Sequence, residues 1–272
     1  MIRDLCIIVA SNDEASLSRN LLASDLIARK GVSVHVERGA PSASVAYNRG
    51  LAATAQDRAA AQNAGHNFGE DIVIFAHQDV YFPPGWEDRL LAAIALLDRQ
   101  DPDWALLAPF GMSEAGAHIG DVWTTSLSRR VGQAVRVPTP AQSFDEMVIV
   151  LRRASGLRFD EALPYFHLYG TDIVQAARAA GKGAYVADLP VVHNDSFHDR
   201  LRADFTAGYH YIRRKWRTKL PLRTPVVWIR WHGLSLPVYR LRAARSIERR
   251  RAMAGDTTTD PRVFSAQCGW EN

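Results

Sequence analysis

A histidine and an aspartate two residues apart follow a run typical of a buried strand. The stretch "DIVIFAHQDVYF" (71–82) begins with apolar, partly β-branched residues, continues into His77, Gln78 and Asp79, and is ended by Pro-Pro-Gly. Alternate residues of a strand face the same side, so His77 and Asp79 can point into one pocket. A carboxylate with few partners suits Mg²⁺ or Mn²⁺ that also holds phosphate oxygens. The pattern predicts a metal site, and the simpler alternative is an aspartate that caps the next turn.

Two later residues could take part in the same chemistry. His193 ends the apolar run in "VVHND" (191–195) and is either a structural histidine or a ligand that converges on Asp79. Asp172 lies at the start of the predicted helix "GTDIVQAARAAG" (170–181), where the helix N-terminus favours an ionised carboxylate. Asp172 is therefore either a helix cap or a general base at a pocket rim.

Four more acids occur in two Phe-Asp-Glu stretches, "SFDEMVIVLRR" (143–153) and "LRFDEALPYFH" (157–167). These acids are Asp145, Glu146, Asp160 and Glu161. Carboxylates are good hydrogen-bond partners for sugar hydroxyls, whereas the alternative is that all four are solvated turn residues.

The segments that must position these residues alternate between strand and helix. Strand-like runs at 5–10, 32–37, 72–76 and 104–110 are separated by helical patterns, which predicts an α/β fold with a mostly parallel sheet and helices on both faces. Asp13, Glu37 and the His77–Asp79 pair fall just beyond strand ends, where ligands bind in such sheets. The last twenty residues are expected to be loosely ordered.

Composition favours a globular protein of the reducing cell interior. The 272 residues are 47% hydrophobic and 23% charged, with only two cysteines, Cys6 and Cys268, which form neither a disulfide framework nor a zinc spacing. The first apolar run is too short for a signal peptide, and no run is long enough to span a bilayer. These features predict a cytoplasmic location.

The charge of the chain is unevenly distributed. The net charge is +4, but residues 200–251 contain fifteen Lys and Arg against two acids, Asp204 and Glu248, which makes that segment +13 and the rest −9. Trp, Tyr, Leu and Val interleaved with Arg suit the surface of an anionic membrane, to which residues 209–251 would attach the protein. A basic helical cap on the acidic body is the alternative. Nucleic acid is not the expected partner, because no known binding motif accompanies the basic residues.

Taken in order, these motifs resemble the family-two glycosyltransferases of the glycosyltransferase-A fold, in the branch whose acidic metal motif is His-Gln-Asp. The resemblance runs from Leu5 to Ser196 and includes "ASND" (10–13), "AYNRGLAATA" (46–55), "IVIFAHQDVYF" (72–82) and the stretch from "LRRASGLRFDEALP" to "VVHNDS" (151–196). It implies a catalytic domain at 1–199, followed by a basic C-terminal extension at 200–272.

The resemblance also implies a role for each matching residue. Asp79 corresponds to the last acid of the Asp-x-Asp motif, which holds a divalent metal on the donor diphosphate, and His77 replaces the first acid. His193 corresponds to a histidine that completes the metal shell, and Asp172 to the catalytic base. The residues implied for donor binding are Ala10, Asn12, Glu37, Asn48, His77, Gln78 and Asp79. Those expected on the acceptor side are Asp145, Glu146, His167, Gly170 and Thr171.

The implied reaction is transfer of a sugar, with inversion, from a UDP, GDP or dTDP sugar to a hydroxyl of a glycan or lipid-linked acceptor, assisted by Mn²⁺ or Mg²⁺. Such a reaction would serve cell-surface polysaccharide synthesis. Two alternatives stay open. A nucleotidyltransferase would use a similar sheet, but it often carries a glycine-rich basic loop, and "ASNDEASLSRN" (10–20) contains no glycine. A non-catalytic nucleotide-sugar-binding protein of the same fold is the other, because His77 stands where an acid is usual.

Overall fold

The protein consists of short strands and helices, which the computed structural model describes for residues 5–63 and 72–271. The strands are β1 (Leu5–Ser11), β2 (Val32–Arg38), β3 (Ile72–His77), β4 (Val80–Tyr81), β5 (Trp104–Ala108), β6 (Phe110–Ser113), β7 (His118–Gly120), β8 (Val122–Thr124), β9 (Arg129–Val131), β10 (Thr139–Phe144), β11 (Val148–Arg152), β12 (Gly183–Val186), β13 (Val191–His193), β14 (Leu222–Arg223) and β15 (Trp228–Ile229). The helices are α1 (Glu14–Arg19), α2 (Ala43–Asn63), α3 (Trp86–Gln100), α4 (Tyr169–Ala179), α5 (Ala203–Lys215), α6 (Ser235–Arg245), α7 (Ile247–Met253) and α8 (Pro261–Gln267).

The central sheet is mixed and has the strand order β2-β1-β3-β11-β5-β12-β10-β6-β7. Strands β1, β2 and β3 are parallel, and β5 and β12 are parallel to each other, but β11 lies antiparallel between β3 and β5. The predicted α/β class is therefore confirmed, but the prediction of a mostly parallel sheet is wrong, since five of the eight strand pairings in this sheet are antiparallel. The direction of β11 was not predictable from its sequence, because a strand that is buried on both faces has the same apolar composition whichever way it runs.

Helices cover both faces of this sheet, as predicted. Alternate residues of β3 enter two different hydrophobic clusters, with Val73 and Phe75 on one face and Ile72 and Ile74 on the other. Helices α2, α4 and α5 contribute to the first cluster, while α1 and α3 contribute to the second. The apolar pattern that predicted helix 86–100 is thus the buried face of α3.

A second, four-stranded sheet brings β13 beside the end of β3. Its order is β4-β13-β8-β9, and His193 of β13 pairs in register with Val80 of β4. Because β4 begins two residues after Gln78, this pairing places His193 next to Asp79 despite their distance in sequence. The second sheet therefore completes the predicted site.

Residues beyond 200 belong to the same core as the rest. Phe205, Tyr209 and Ile212 of α5 are buried against the first cluster, together with Leu222 and Ile229 of the hairpin β14–β15. The change in charge at residue 200 is therefore not accompanied by a break in the hydrophobic core.

The C-terminal residues are packed, and the expectation that they are loosely ordered is wrong. Helix α8 begins with Asp260 as its N-cap and Pro261 at its first turn. Phe264 and Trp270 are buried against Tyr81 and Val192. Two aromatic side chains therefore anchor a segment whose polar composition suggested a free end.

Candidate functional site

Three side chains with metal-binding chemistry meet at the carboxyl end of β3. Ligand atoms of His77, Asp79 and His193 all lie within 4.8 Å of one another. Asp79 Oδ1 is 3.4 Å from His193 Nε2 and 3.9 Å from His77 Nδ1. Within residues 5–63 and 72–271, these form the one group of three or more His, Cys, Asp or Glu side chains placed to hold a metal ion.

One oxygen of the Asp79 carboxylate is available to coordinate a cation. Its Oδ1 is buried and accepts no hydrogen bond from the described residues. Burial opposes ionisation, but the adjacent His193 and His77 hold the pKa of Asp79 below its ordinary value. Burial likewise favours neutral His193, yet the Asp79 charge raises the pKa of His193 to about 10. A partly buried carboxylate oxygen facing two imidazole nitrogens fits a divalent metal.

Tyr169 orients His77 from the opposite side. The Tyr169 hydroxyl donates to the backbone oxygen of Glu146 at 2.9 Å, and it lies 2.7 Å from His77 Nε2. Because the hydroxyl donates its proton to the Glu146 oxygen, it accepts a hydrogen bond from His77 Nε2–H. In this tautomer His77 Nδ1 has a lone pair on the Asp79 side. Sequence reasoning missed Tyr169, because no short motif marks a residue that acts through a histidine 92 residues away.

Gln78 lines the pocket, but its polar atoms form hydrogen bonds with other residues of the protein. Its Oε1 accepts from Ser11 Oγ and from the backbone N–H groups of Asn12 and Asp13, at 2.8–3.0 Å. Its Nε2 donates to Asn12 Oδ1 at 2.8 Å. Gln78 therefore ties the end of β3 to the turn after β1, and its predicted contact with a cofactor becomes a positioning contact.

A cavity of about 380 Å³ opens beside the three metal-site residues. Its volume lies in the range of small-molecule sites. The predicted residues that line it are Ala10, Asn12, Glu37, His77, Gln78, Asp79, Glu146 and His167. The lining residues that sequence reasoning missed are Ser11, Gly39, Ala40 and Phe166. Gly39 and Ala40 follow β2 in a turn with a positive φ at Gly39, and such a turn carries no chemical signal in the sequence.

Three acids line this cavity. Asp79 belongs to the metal-site residues and Glu37 to the end of β2, so Glu146 is the third. Burial raises the pKa of Glu146 well above its usual value, the neighbouring Asp145 adds to the effect, and N–H groups of Gly170 and Leu168 oppose it. His167, across the cavity, lies 3.6 Å from Asp204 of α5, and burial lowers the pKa of His167. The cavity therefore contains a buried carboxyl group whose raised pKa favours its protonated form, so that it could exchange a proton with a bound ligand.

Asp172 is not in the cavity, which corrects its expected position at a pocket rim. Its side chain is buried, with the residue only 3% exposed, and it accepts hydrogen bonds from Lys215 Nζ at 2.8 Å and Trp216 Nε1 at 2.7 Å. Burial raises the pKa of Asp172, although the Lys215 contact opposes this. The partners lie 43 and 44 residues later in the chain, so no local pattern could reveal that Asp172 is occupied.

Five other predicted residues also lie outside the cavity lining, and one of them, His193, belongs to the group of possible metal ligands beside it. Asn48 is held by Phe159, since its Nδ2 donates to the Phe159 oxygen and its Oδ1 accepts the Phe159 N–H. Asp145 accepts from the backbone N–H of Met147. Gly170 and Thr171 are buried in the first turn of α4, and the N–H group of Gly170 bonds to the Glu146 carboxyl group. The structure thus brings together most of the predicted donor side and only Glu146 and His167 of the acceptor side.

Comparison with known proteins adds little to this geometry. No protein-family model matches the chain. Over 159 residues the chain is 31% identical to "ATP synthase subunits region ORF 6" of Fuscovulum blasticum, a match that covers 53% of this chain and 60% of that protein. Among solved structures, A197 from STIV has a TM-score of 0.41 at 8% identity and covers 69% of this chain and 82% of its own. The inositol-1-phosphate CTP transferase from T. maritima has a TM-score of 0.34 at 10% identity, covering 77% and 96%. Both scores are low, so neither likeness bears on activity, and the function has to be argued from the site.

Proposed function

We propose that this protein is a metal-assisted inverting glycosyltransferase that uses a nucleotide-diphosphate sugar. The observation that carries the proposal is the buried Asp79 Oδ1, which lies between His77 and His193 and forms no hydrogen bond within the described residues, in the lining of a cavity that also contains Glu146. A diphosphate needs a cation, and an acceptor hydroxyl needs a base. The cavity offers residues for both.

The donor is proposed to span the cavity from the metal-site residues to the ends of β1 and β2. Ala10, Asn12 and Glu37 line that end and would contact the nucleoside, whether it is UDP, GDP or dTDP. A divalent ion held by His77, Asp79 and His193 would offset the charge of the departing nucleoside diphosphate. Two nitrogen donors make Mn²⁺ a better fit than Mg²⁺, because imidazole suits transition metals and Mg²⁺ prefers oxygen.

Glu146 takes the role of general base in this proposal, in place of Asp172. Its carboxylate would accept the proton from the acceptor hydroxyl as that oxygen bonds to the anomeric carbon and the diphosphate leaves. Burial raises the pKa of Glu146, which makes its carboxylate a stronger proton acceptor than that of an exposed glutamate. The displacement is a single step, so the product has inverted configuration. The acceptor is proposed to be a glycan or a lipid-linked saccharide, with His167 on its side of the cavity.

A second candidate is a protein of the same fold that binds a nucleotide sugar without turnover. The hydrogen bonds of Asp172 favour this candidate. The resemblance implies that Asp172 is the catalytic base, but its carboxylate is bonded to Lys215 and Trp216. In either case we propose that residues 1–199 form the ligand-binding part and 200–272 a basic extension, in a protein that works on the cytoplasmic side of a membrane. No helix in the described part of the chain is long and apolar enough to cross a bilayer.

The first test is thermal denaturation of the protein with UDP, GDP, dTDP or CDP, each with Mn²⁺, with Mg²⁺ or with EDTA. A ligand that binds only the folded state raises the melting temperature by mass action. We expect one nucleoside diphosphate to raise it, and only with metal. The Asp79→Asn variant should lose this shift, while Asp188→Asn, which changes an exposed acid that pairs with Arg89, should keep it. A shift in EDTA equal to that in Mn²⁺ would remove the metal from the proposal.

A further inference from the structure

An apolar stripe is exposed on α6 and the turn before it. Trp231 is 81% exposed, Leu234 61%, Val238 45% and Leu241 55%. Leu234, Val238 and Leu241 recur at helical spacing, so they lie on one face of the helix. Single exposed apolar residues are ordinary, but three on one helix face next to an exposed tryptophan form a surface that favours a partner. We call these four residues the α6 stripe.

A basic pocket adjoins the stripe at Trp231. This cavity of about 500 Å³ is lined by His210, Arg213, Arg214, Arg217, Leu220 and Trp231. Arg213 donates to the backbone oxygen of Trp231 at 3.2 Å, which fixes the pocket and the stripe to each other. The lining contains three guanidinium groups and no carboxylate, so its chemistry is that of a phosphate site.

The cations on this side of the molecule are largely uncompensated. Arg214, Arg217, Arg242 and Arg245 form no ion pair with any residue in 5–63 or 72–271. Arg242 and Arg245 are exposed in the last turn of α6, close to Leu241. Apolar side chains flanked by unpaired arginines are the composition of a helix that lies in the interface of an anionic bilayer.

We propose that the α6 stripe and the basic pocket bind the surface of an anionic membrane. Trp231, Leu234 and Leu241 enter the boundary between headgroups and acyl chains, and the pocket arginines hold lipid phosphates. Exposed aliphatic side chains argue for lipid rather than for nucleic acid, because single strands bind through successive aromatic platforms and the stripe has only one.

Helix α5 connects this face to the candidate site. Asp204 and Phe205 in its first turn contact His167 at the cavity, and Arg213 and Arg214 in its last turn line the basic pocket. Nine residues of helix separate Asp204 from Arg213, which is about 14 Å. A membrane on the α6 stripe would therefore bring lipid-linked molecules near the cavity, but binding itself does not depend on the proposed transfer reaction.

Vesicle flotation with the full-length protein tests this surface. We expect flotation with vesicles of phosphatidylcholine plus phosphatidylglycerol, none with phosphatidylcholine alone, and release by salt. The Trp231→Gln/Leu241→Gln variant should lose at least tenfold in binding, because it removes two large apolar side chains from the membrane contact. The Arg214→Gln/Arg217→Gln variant should lose about fivefold for each cation removed.

The matched control is Arg136→Gln/Val137→Gln, which removes an exposed arginine and a 56%-exposed valine from the loop before β10. This control should float like the unaltered protein. All variants should have the melting temperature and circular dichroism of the unaltered protein. The proposal is overturned if the unaltered protein fails to float with anionic vesicles, or if stripe and pocket variants float as the control does. Displacement of the vesicles by a single-stranded oligonucleotide at equal phosphate concentration would assign the face to nucleic acid instead.

Discussion

At the scale of single residues, Tyr169 acts on the metal site through His77. Replacing Tyr169 with Phe removes the acceptor of His77 Nε2–H, 2.7 Å away, and leaves the ring in place. Such outer contacts are typically worth about 10–100-fold in metal affinity. We therefore expect Tyr169→Phe to weaken Mn²⁺ binding by that factor in isothermal titration.

Tyr47→Phe is the control for this prediction. The Tyr47 hydroxyl lies in the same buried cluster, 3.4 Å from that of Tyr169, but it has no contact with His77. Equal losses of Mn²⁺ affinity in the two variants would show that general loosening of the cluster, and not the orientation of His77, is responsible.

Glu146 allows a prediction about both rate and pH. As the proposed base, Glu146→Gln should lower the transfer rate by about 10²–10⁴-fold while the nucleotide-dependent melting shift is kept. Because burial raises the folded-state pKa of Glu146, activity should increase as pH rises through that pKa. Stability should change the other way, since a folded pKa above the unfolded one favours the protonated group and its contribution is lost as pH rises.

Asp145→Asn is the control for Glu146→Gln, because it removes a neighbouring negative charge but keeps the Glu146 carboxyl group. Asp145 is adjacent in sequence but does not line the cavity, and an asparagine can still accept from the Met147 N–H. The variant should keep most of the rate. A Glu146→Gln protein that transfers sugar at the original rate would leave the non-catalytic alternative as the better account.

At the scale of elements, one amide side chain holds the β1–α1 turn against the end of β3. Gln78→Ala removes the acceptor shared by Ser11, Asn12 and Asp13. Water can replace the lost partner at the exposed N–H groups of Asn12 and Asp13, whereas Ser11 is buried, so we expect about 1 kcal/mol of destabilisation in urea unfolding. The larger effect should be faster amide exchange at Asn12 and Asp13 and weaker nucleotide binding. Gln56→Ala, on the exposed side of α2, should change none of these measurements.

At the scale of the whole molecule, Lys215 joins three parts of the chain. Its Nζ contacts Asp160 at 2.6 Å and Asp172 at 2.8 Å, so it links α5 to α4 and to the segment before it. Lys215→Met leaves the buried Asp172 with Trp216 as its remaining donor, which should cost about 1–3 kcal/mol at neutral pH. The folded pKa of Asp172 is already raised, so the deficit should shrink as pH falls and the carboxyl is protonated.

Urea unfolding at several pH values measures this effect. Lys219→Met is the control, because it removes an exposed lysine four residues later and should be close to neutral. A Lys215→Met deficit that is constant from acidic to neutral pH would mean that lost packing, and not the uncompensated carboxylate, causes it.

Local patterns predicted those parts of the fold and site that depend on neighbours in sequence. His77 and Asp79 share a strand end, so residue type and spacing were enough to predict that they lie together, and the resemblance added His193, which the structure places beside them. The fate of Asp172 depends on Lys215 and Trp216, and that of Asn48 on Phe159, more than a hundred residues away. Such long-range partners, like the direction of β11, are set by tertiary packing, which a single sequence does not display.

The position of His193 in the second sheet has a consequence for synthesis of the protein. His77 and Asp79 leave the ribosome more than a hundred residues before His193. At roughly 5–20 residues per second, the nascent chain carries an incomplete ligand set for about 6–20 s. Only when β13 has emerged and paired with β4 can all three side chains bind the same ion. Capture of the proposed metal would therefore be a late event in biogenesis, and a chain that stalls before residue 193 would carry only two of the three proposed ligands.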